Sequence, residues 1–189
     1  MNKSICVFCG SSIGLNNTYK VIAEEFAKEI VKNDLTLVYG GGNIGLMGTI
    51  SDTVINNCGK VIGVIPKFLS EKKLSNTKVT ELMVVQDMHS RKATMYKISD
   101  YFVALPGGIG TIEEITEILT WRQLFLHQKP CALLNINGFF NDFVKFLNRS
   151  VSDGFMKQNH LDNLIVESDY KKIIDKLKNY TCGTEVSKF

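Results

Sequence analysis

The sequence predicts an α/β protein: a doubly wound, mostly parallel sheet with helices on both faces, in one domain spanning residues 1–189. Three observations point there. Seven short runs are apolar throughout, as suits strands of a parallel sheet that is covered on both faces. Helix-period segments alternate with most of them. Three of the turns that follow strands are rich in glycine, and they fall at the carboxyl edge, where such sheets bind ligands.

The strands are read at SICVFCG (4–10), LTLVYG (35–40), KVIGVIP (60–66), ELMVVQ (81–86), DYFVALPG (100–107), PCALLNI (130–136) and NLIVES (163–168). The helices are expected at about 18–32, 44–57, 88–98, 112–126, 139–151 and 169–179. In the first helix Val21, Ile22, Phe26 and Ile30 carry the apolar stripe. Between Pro66 and Thr80 the rhythm breaks into a polar loop, KFLSEKKLSNTK, placed to border a site. The order as a whole is Rossmann-like, with a tail at about 181–189 expected to be disordered.

Composition narrows the function. A chain of 189 residues, 44% hydrophobic and 22% charged, is long enough to bury a core without disulfides. The net charge of +3, from 22 basic and 19 acidic residues, is mild and scattered, so no nucleic-acid partner is expected. The lysines of DYKKIIDKLKNY read as the wet face of an amphipathic helix. Five cysteines form no regular framework, which suits reduced thiols in the cytoplasm. Cys6 and Cys9 form a C-x-x-C inside a strand, where residues three apart point to opposite faces, so packing is the better reading. MNKSICVF lacks the long apolar segment of a signal peptide, and no run nears the roughly 20 residues that cross a bilayer, so a cytoplasmic protein without a membrane partner is expected.

Three motifs carry chemistry. GGGNIG (40–45) matches G-x-G-x-x-G, but the next strand ends in Pro66 and Lys67 where the dinucleotide fingerprint wants an acidic residue. A mononucleotide or sugar-phosphate site is therefore preferred to a dehydrogenase. In PGGIGTIEE (106–114), Thr111 and Glu114 have capping-box spacing, with Thr111 at the N-cap, which gives Glu114 a structural reading. Gly107, Gly108 and Gly110 leave backbone donors open to an anion at a helix start, which gives the loop a phosphate-binding reading. The stripe Ile112, Ile115, Ile118 and Leu119 leaves Glu113 and Glu114 off the core. In MHSRK (88–92), Arg91 and Lys92 open a helix, a poor place for cations, so Arg91 looks placed for a phosphate or carboxylate. His89 has no second ligand at metal spacing, and no metal is expected. Neither a P-loop nor a G-x-S-x-G elbow is present.

Taken together, MHSRK, PGGIGTIEE and TWRQLFLHQKP (120–130) resemble the Lonely Guy (LOG) family, as do FCGSS, YGGGNIGLMG and LLNINGFF. These are cytokinin riboside 5′-monophosphate phosphoribohydrolases, some once labelled lysine decarboxylases. The resemblance runs from about residue 4 to 168. It implies Arg91 and Glu114 as the catalytic pair. Substrate would be bound by Lys92, Gly107, Gly108, Ile109, Gly110, Thr111, Ile112, Glu113 and Thr120, with the 107–111 loop on the phosphate. It implies a homodimer that acts on a nucleoside monophosphate without metal or organic cofactor. Where many relatives carry an acidic residue after VIPKFL, this chain has Lys73, with Glu71 two residues earlier.

The residues agree with that chemistry. N-glycosidic cleavage passes through an oxocarbenium-like state, which a carboxylate such as Glu114 stabilises while it orients or deprotonates water. No residue makes the case for a pyridoxal phosphate enzyme. The alternative is a non-catalytic nucleotide or cofactor carrier, similar to the molybdenum-cofactor carriers.

Overall fold

The structure is a computed structural model that describes residues 2–72 and 74–181. Lys73 and the tail from 182 onward, where disorder was expected, lie outside the described residues. Seven parallel strands form one sheet in the order β4-β3-β2-β1-β5-β6-β7. They are β1 (Ser4–Phe8), β2 (Thr36–Tyr39), β3 (Val61–Pro66), β4 (Glu81–Val85), β5 (Tyr101–Ala104), β6 (Cys131–Leu134) and β7 (Leu164–Glu167). All seven apolar runs are strands of this sheet, and the expected doubly wound α/β fold holds.

Alternate strand residues feed two cores. Ile5, Val7, Leu37, Val103 and Ala132 pack against α1 (Thr18–Lys32), α2 (Gly45–Asn56) and α8 (Tyr170–Lys178). Cys6, Phe8, Val38, Phe102 and Leu133 pack against α4 (Met88–Ile98), α5 (Ile109–Gln123) and α6 (Asn141–Ser152). Cys6 and Cys9 fall in opposite cores, as strand geometry requires, and both thiols are free. Burial pushes the Cys6 thiol up, far from the reactive range.

The helices depart from expectation in three places. In α1 the buried face is Ala23, Phe26, Ala27 and Ile30, while Val21 is exposed. Ala23 and Ala27 let the helix lie close to the sheet, and small residues give a weak periodic signal. Two short helices, α3 (Lys67–Ser70) and α7 (Gln158–Asp162), lie where none was expected. One turn of helix is too brief to show a period. The third departure matters most for the site: α5 runs from 109 to 123, not from 112 to 126.

Both ends of α5 explain that shift. Gly108 is the N-cap, in an extended conformation (φ −88°, ψ −158°), so Thr111 lies inside the first turn and is not the cap. The capping-box reading of Thr111 and Glu114 is corrected accordingly, and Glu114 sits in the second turn. At the other end Phe125 takes φ +58°. The Leu126 N–H donates to the Trp121 carbonyl and the Phe125 N–H to that of Arg122, both at 2.9 Å, the pattern of a Schellman close. Phenylalanine is unusual at that left-handed position, which normally takes glycine, so the stop leaves no mark in the sequence.

Candidate active site

Strand order reverses between β1 and β5: β2 lies on one side of β1, and β5 lies on the other. The crevice at the carboxyl ends of these two strands is where an open parallel sheet receives ligands. The glycine-rich turns after β1, β2 and β5 converge there.

Gly10 ties them together. Its N–H donates to the Pro106 carbonyl at 3.1 Å, and its carbonyl accepts from Leu46 N–H at 3.0 Å at the start of α2. Gly45 lies so close that a Cβ there would stand 2.2 Å from the Ser11 carbonyl carbon, at φ +61°; only glycine fits both demands. A Cβ on Gly107 would meet Thr111 Oγ1 at 2.1 Å, so this glycine lets the loop fold back on α5. Part of the glycine content is therefore packing.

Gly108 and Gly110 are different. A Cβ at either position would find nothing within 4 Å. Neither has a positive φ, and both are exposed. Packing demands neither glycine, yet together they leave the first turn of α5 uncovered; the Thr111 and Ile112 N–H groups donate to the Gly108 carbonyl, and those of Ile109 and Gly110 are left to face an anion.

Beside this cradle two helices bring together a buried ion pair. Asp87 caps α4, its carboxylate accepting from Ser90 N–H at 2.7 Å, which offsets the cost of cations in the first turns. Arg91, 9% exposed, reaches across to Glu114 of α5, 8% exposed, with Nη2 to Oε1 at 3.1 Å. Glu114 was expected off the core; the structure buries it. It belongs to the buried face of α5 with Thr111, Ile115, Ile118 and Arg122. Burial pushes the Glu114 carboxyl above its usual range, and the Arg91 guanidinium only partly opposes this. Arg91 Nε is buried and has no hydrogen-bond partner among the described residues.

The guanidinium rests on the turn after β2. A Cβ on Gly40 would lie 2.0 Å from Arg91 Nη2. That turn is in turn held by the segment between β3 and β4. Asn43 N–H donates to the Leu74 carbonyl at 3.0 Å, and Asn76 N–H donates to the Gly41 carbonyl at 2.9 Å. The buried Asn76 side-chain amide donates to Ser51 Oγ at 3.1 Å and Asp52 Oδ1 at 3.0 Å on α2. The polar loop does border the site, and Asn76, which no motif marks, is the buried side chain that helps fix it.

The other expected residues divide. Gly107, Gly108, Ile109, Gly110 and Thr111 form the loop and helix start; Ile109 is 86% exposed and Thr111 is buried. Ile112 packs against the core below α5. Lys92 and Glu113 pair with each other, and Lys92 also meets Glu117 at 3.0 Å. Thr120 is exposed and bonds to the Thr116 carbonyl at 2.8 Å. Nine residues beyond Thr111, it is about 13 Å further along the axis, so the chain does not bring it to the cradle. His89 is exposed, and no group of three metal-binding side chains occurs among the described residues. No described helix is long and apolar enough to cross a membrane.

Comparison with known proteins gives these features a context. The profile of the family described as "Possible lysine decarboxylase" matches residues 47–177. The chain is 47% identical over 178 residues to the cytokinin riboside 5'-monophosphate phosphoribohydrolase LOG1 of Arabidopsis thaliana, covering 94% of this chain and 84% of that one. It is 45% identical over 177 residues to the enzyme of the same description, LOG4, from that plant, with 94% and 82% covered. Among solved structures, the molybdenum-cofactor (Moco) carrier protein of Chlamydomonas reinhardtii superposes with a TM-score of 0.72 at 23% identity, covering 94% and 96% of the two chains. At that identity the likeness speaks to the fold alone.

Proposed function

From the premise that this chain belongs to the LOG family, we propose that it hydrolyses the N-glycosidic bond of adenosine 5′-monophosphates, with N6-prenylated forms included. The products are the free base and ribose 5-phosphate. The observation that carries this reading is the buried Arg91–Glu114 pair beside an open, glycine-lined helix start.

Each part has a task. The N–H groups at the start of α5 hold the 5′-phosphate, with the helix dipole favouring its charge. As the bond from C1′ to the base lengthens, positive charge builds on the ribose, and the Glu114 carboxylate stabilises it. Glu114 takes a proton from water as the oxygen bonds to C1′, and the departing base nitrogen gains one in exchange. Arg91 keeps Glu114 ionised against the pull of burial, and its N–H groups can face the leaving base. A carrier needs no such charged pair at its phosphate site.

Incubation with AMP and with isopentenyladenosine monophosphate, followed by chromatography, tests the reading. Free base should appear from at least one of them, and well above a Glu114→Gln control. Tight binding without release of base would favour the carrier.

The open cradle predicts a trade-off at Gly110. Alanine there fits the helix and the empty space around it, so Gly110→Ala is expected to stabilise the fold by roughly 0.5–1 kcal/mol. The same methyl intrudes where the phosphate docks, and KM should rise about tenfold, the cost of one charge-assisted hydrogen bond. Thermal unfolding and steady-state kinetics on one sample check both halves.

A further inference from the structure

Two neighbouring residues of α4 meet three carboxylates of α5. Arg91 takes Glu114, and Lys92 takes both Glu113 and Glu117. The Lys92 side chain is about as buried as that of Arg91, at 11% against 10% exposed. Glu113 and Glu117 are one helical turn apart on the same face, so one ammonium can bridge them. Glu113 lies two residues past Thr111 and Glu117 six, so Lys92 runs along the flank of α5 with its ammonium engaged by both carboxylates. Glu117 Oε2 is buried with no hydrogen-bond partner among the described residues, so Lys92 is the contact that holds this carboxylate.

We propose that Lys92 and Glu117 are positioning residues that clamp α4 to α5 and so hold Arg91 against Glu114, and that Lys92 does not bind the substrate phosphate. This rests on the phosphoribohydrolase reading above. A side-chain contact at 3.1 Å between two helices does not survive much sliding, and the clamp sits one residue from it on α4 and three residues from it on α5. The clamp also leaves two carboxylates on one ammonium. Their surplus negative charge discourages ionisation of the neighbouring Glu114, in the same direction as its burial.

Steady-state kinetics of Lys92→Met, Lys92→Arg and Glu117→Gln test the clamp. Lys92→Met and Glu117→Gln should each lower kcat about tenfold to a hundredfold, the scale of a small misplacement, with KM kept within about twofold. Lys92→Arg should recover most of the rate. In Glu117→Gln the acid limb of the rate profile should move to lower pH, because a like charge near Glu114 is gone. A phosphate-binding Lys92 gives the opposite split: KM rises in Lys92→Met with kcat kept, and Glu117→Gln lowers KM by freeing the ammonium. Either result overturns the proposal. Calorimetric binding of ribose 5-phosphate needs no turnover and separates this from failure of the reaction itself. Affinity unchanged in Lys92→Met supports the clamp, and a tenfold loss overturns it. If Lys92→Met does not fold, Glu117→Gln carries the same comparison.

Discussion

Replacing Glu114 with glutamine should reduce turnover by roughly 10³-fold, within the range that a positioned acid–base group supplies. The amide keeps the shape and can still accept from Arg91, but it offers no charge to an oxocarbenium-like state and cannot take a proton from water. Substrate binding should change little, because the proposed phosphate site is made of backbone N–H groups at the start of α5. The pH dependence follows from the same geometry. Burial raises the carboxyl above its usual range, with Arg91 opposing. Activity needs the ionised form, so the wild-type rate should fall with acid through a pKa higher than that of an exposed glutamate. Arg91→Ala removes the opposing cation and should move that limb to still higher pH. Stability runs the other way. Between the unfolded carboxyl's pKa and the raised folded one, the folded state binds more protons, so this group's contribution falls as pH rises through that window. Glu114→Gln should therefore unfold at no lower temperature than the wild type at pH 7. A variant with full turnover, or one that melts well below the wild type, would contradict this account.

Gly40→Ala should cost roughly 10²-fold in kcat by displacing Arg91, the scale expected for a catalytic group moved by about 1 Å. The added Cβ would stand 2.0 Å from Arg91 Nη2 and 3.0 Å from Cζ, and Nη2 is the atom that holds Glu114. The guanidinium must swing away. What gives is the far end of a side chain, and the next contact is Met47 Sδ at 3.3 Å, so the backbone keeps its course. Activity should fall toward that of Arg91→Ala, while the melting temperature moves by only a few degrees. Turnover within about twofold of wild type would show that the pairing is dispensable.

Much of this arrangement was legible in the sequence. The seven strands announced themselves because a parallel sheet buries both faces, so its strands are apolar without alternation. α1 and α4 were placed residue for residue. The glycine-rich turns and the pairing of Arg91 with Glu114 followed from motif and resemblance. What escaped was tertiary. Glu114 lies three residues after Thr111 and four before Ile118, on the buried face, but a stripe read from apolar residues alone passes over a carboxylate. Its Arg91 partner comes from α4, and nothing local records that neighbour. The start of α5 escaped because Thr111 and Glu114 have the spacing of a cap, while the true cap, Gly108, has no side chain to declare itself. Glu117 and Asn76 carried no signal because their partners lie 25 and 24 or more residues away.

The Asn76 anchor decides which side chains of the β3–β4 segment can change. It fastens the β3–β4 segment to α2 by its side chain and to Gly41 by its backbone, and the other ties to the turn, at Leu74 and Ser75, run through their backbone carbonyls. Asn76 is thus the side chain in this segment on which the attachment depends. Residues from Lys67 to Ser75 can be exchanged for others of different size or charge while the turn beneath Arg91 stays where it is. Exchanging side chains of this stretch, with Asn76 retained, should thus leave the Arg91–Glu114 pair in place.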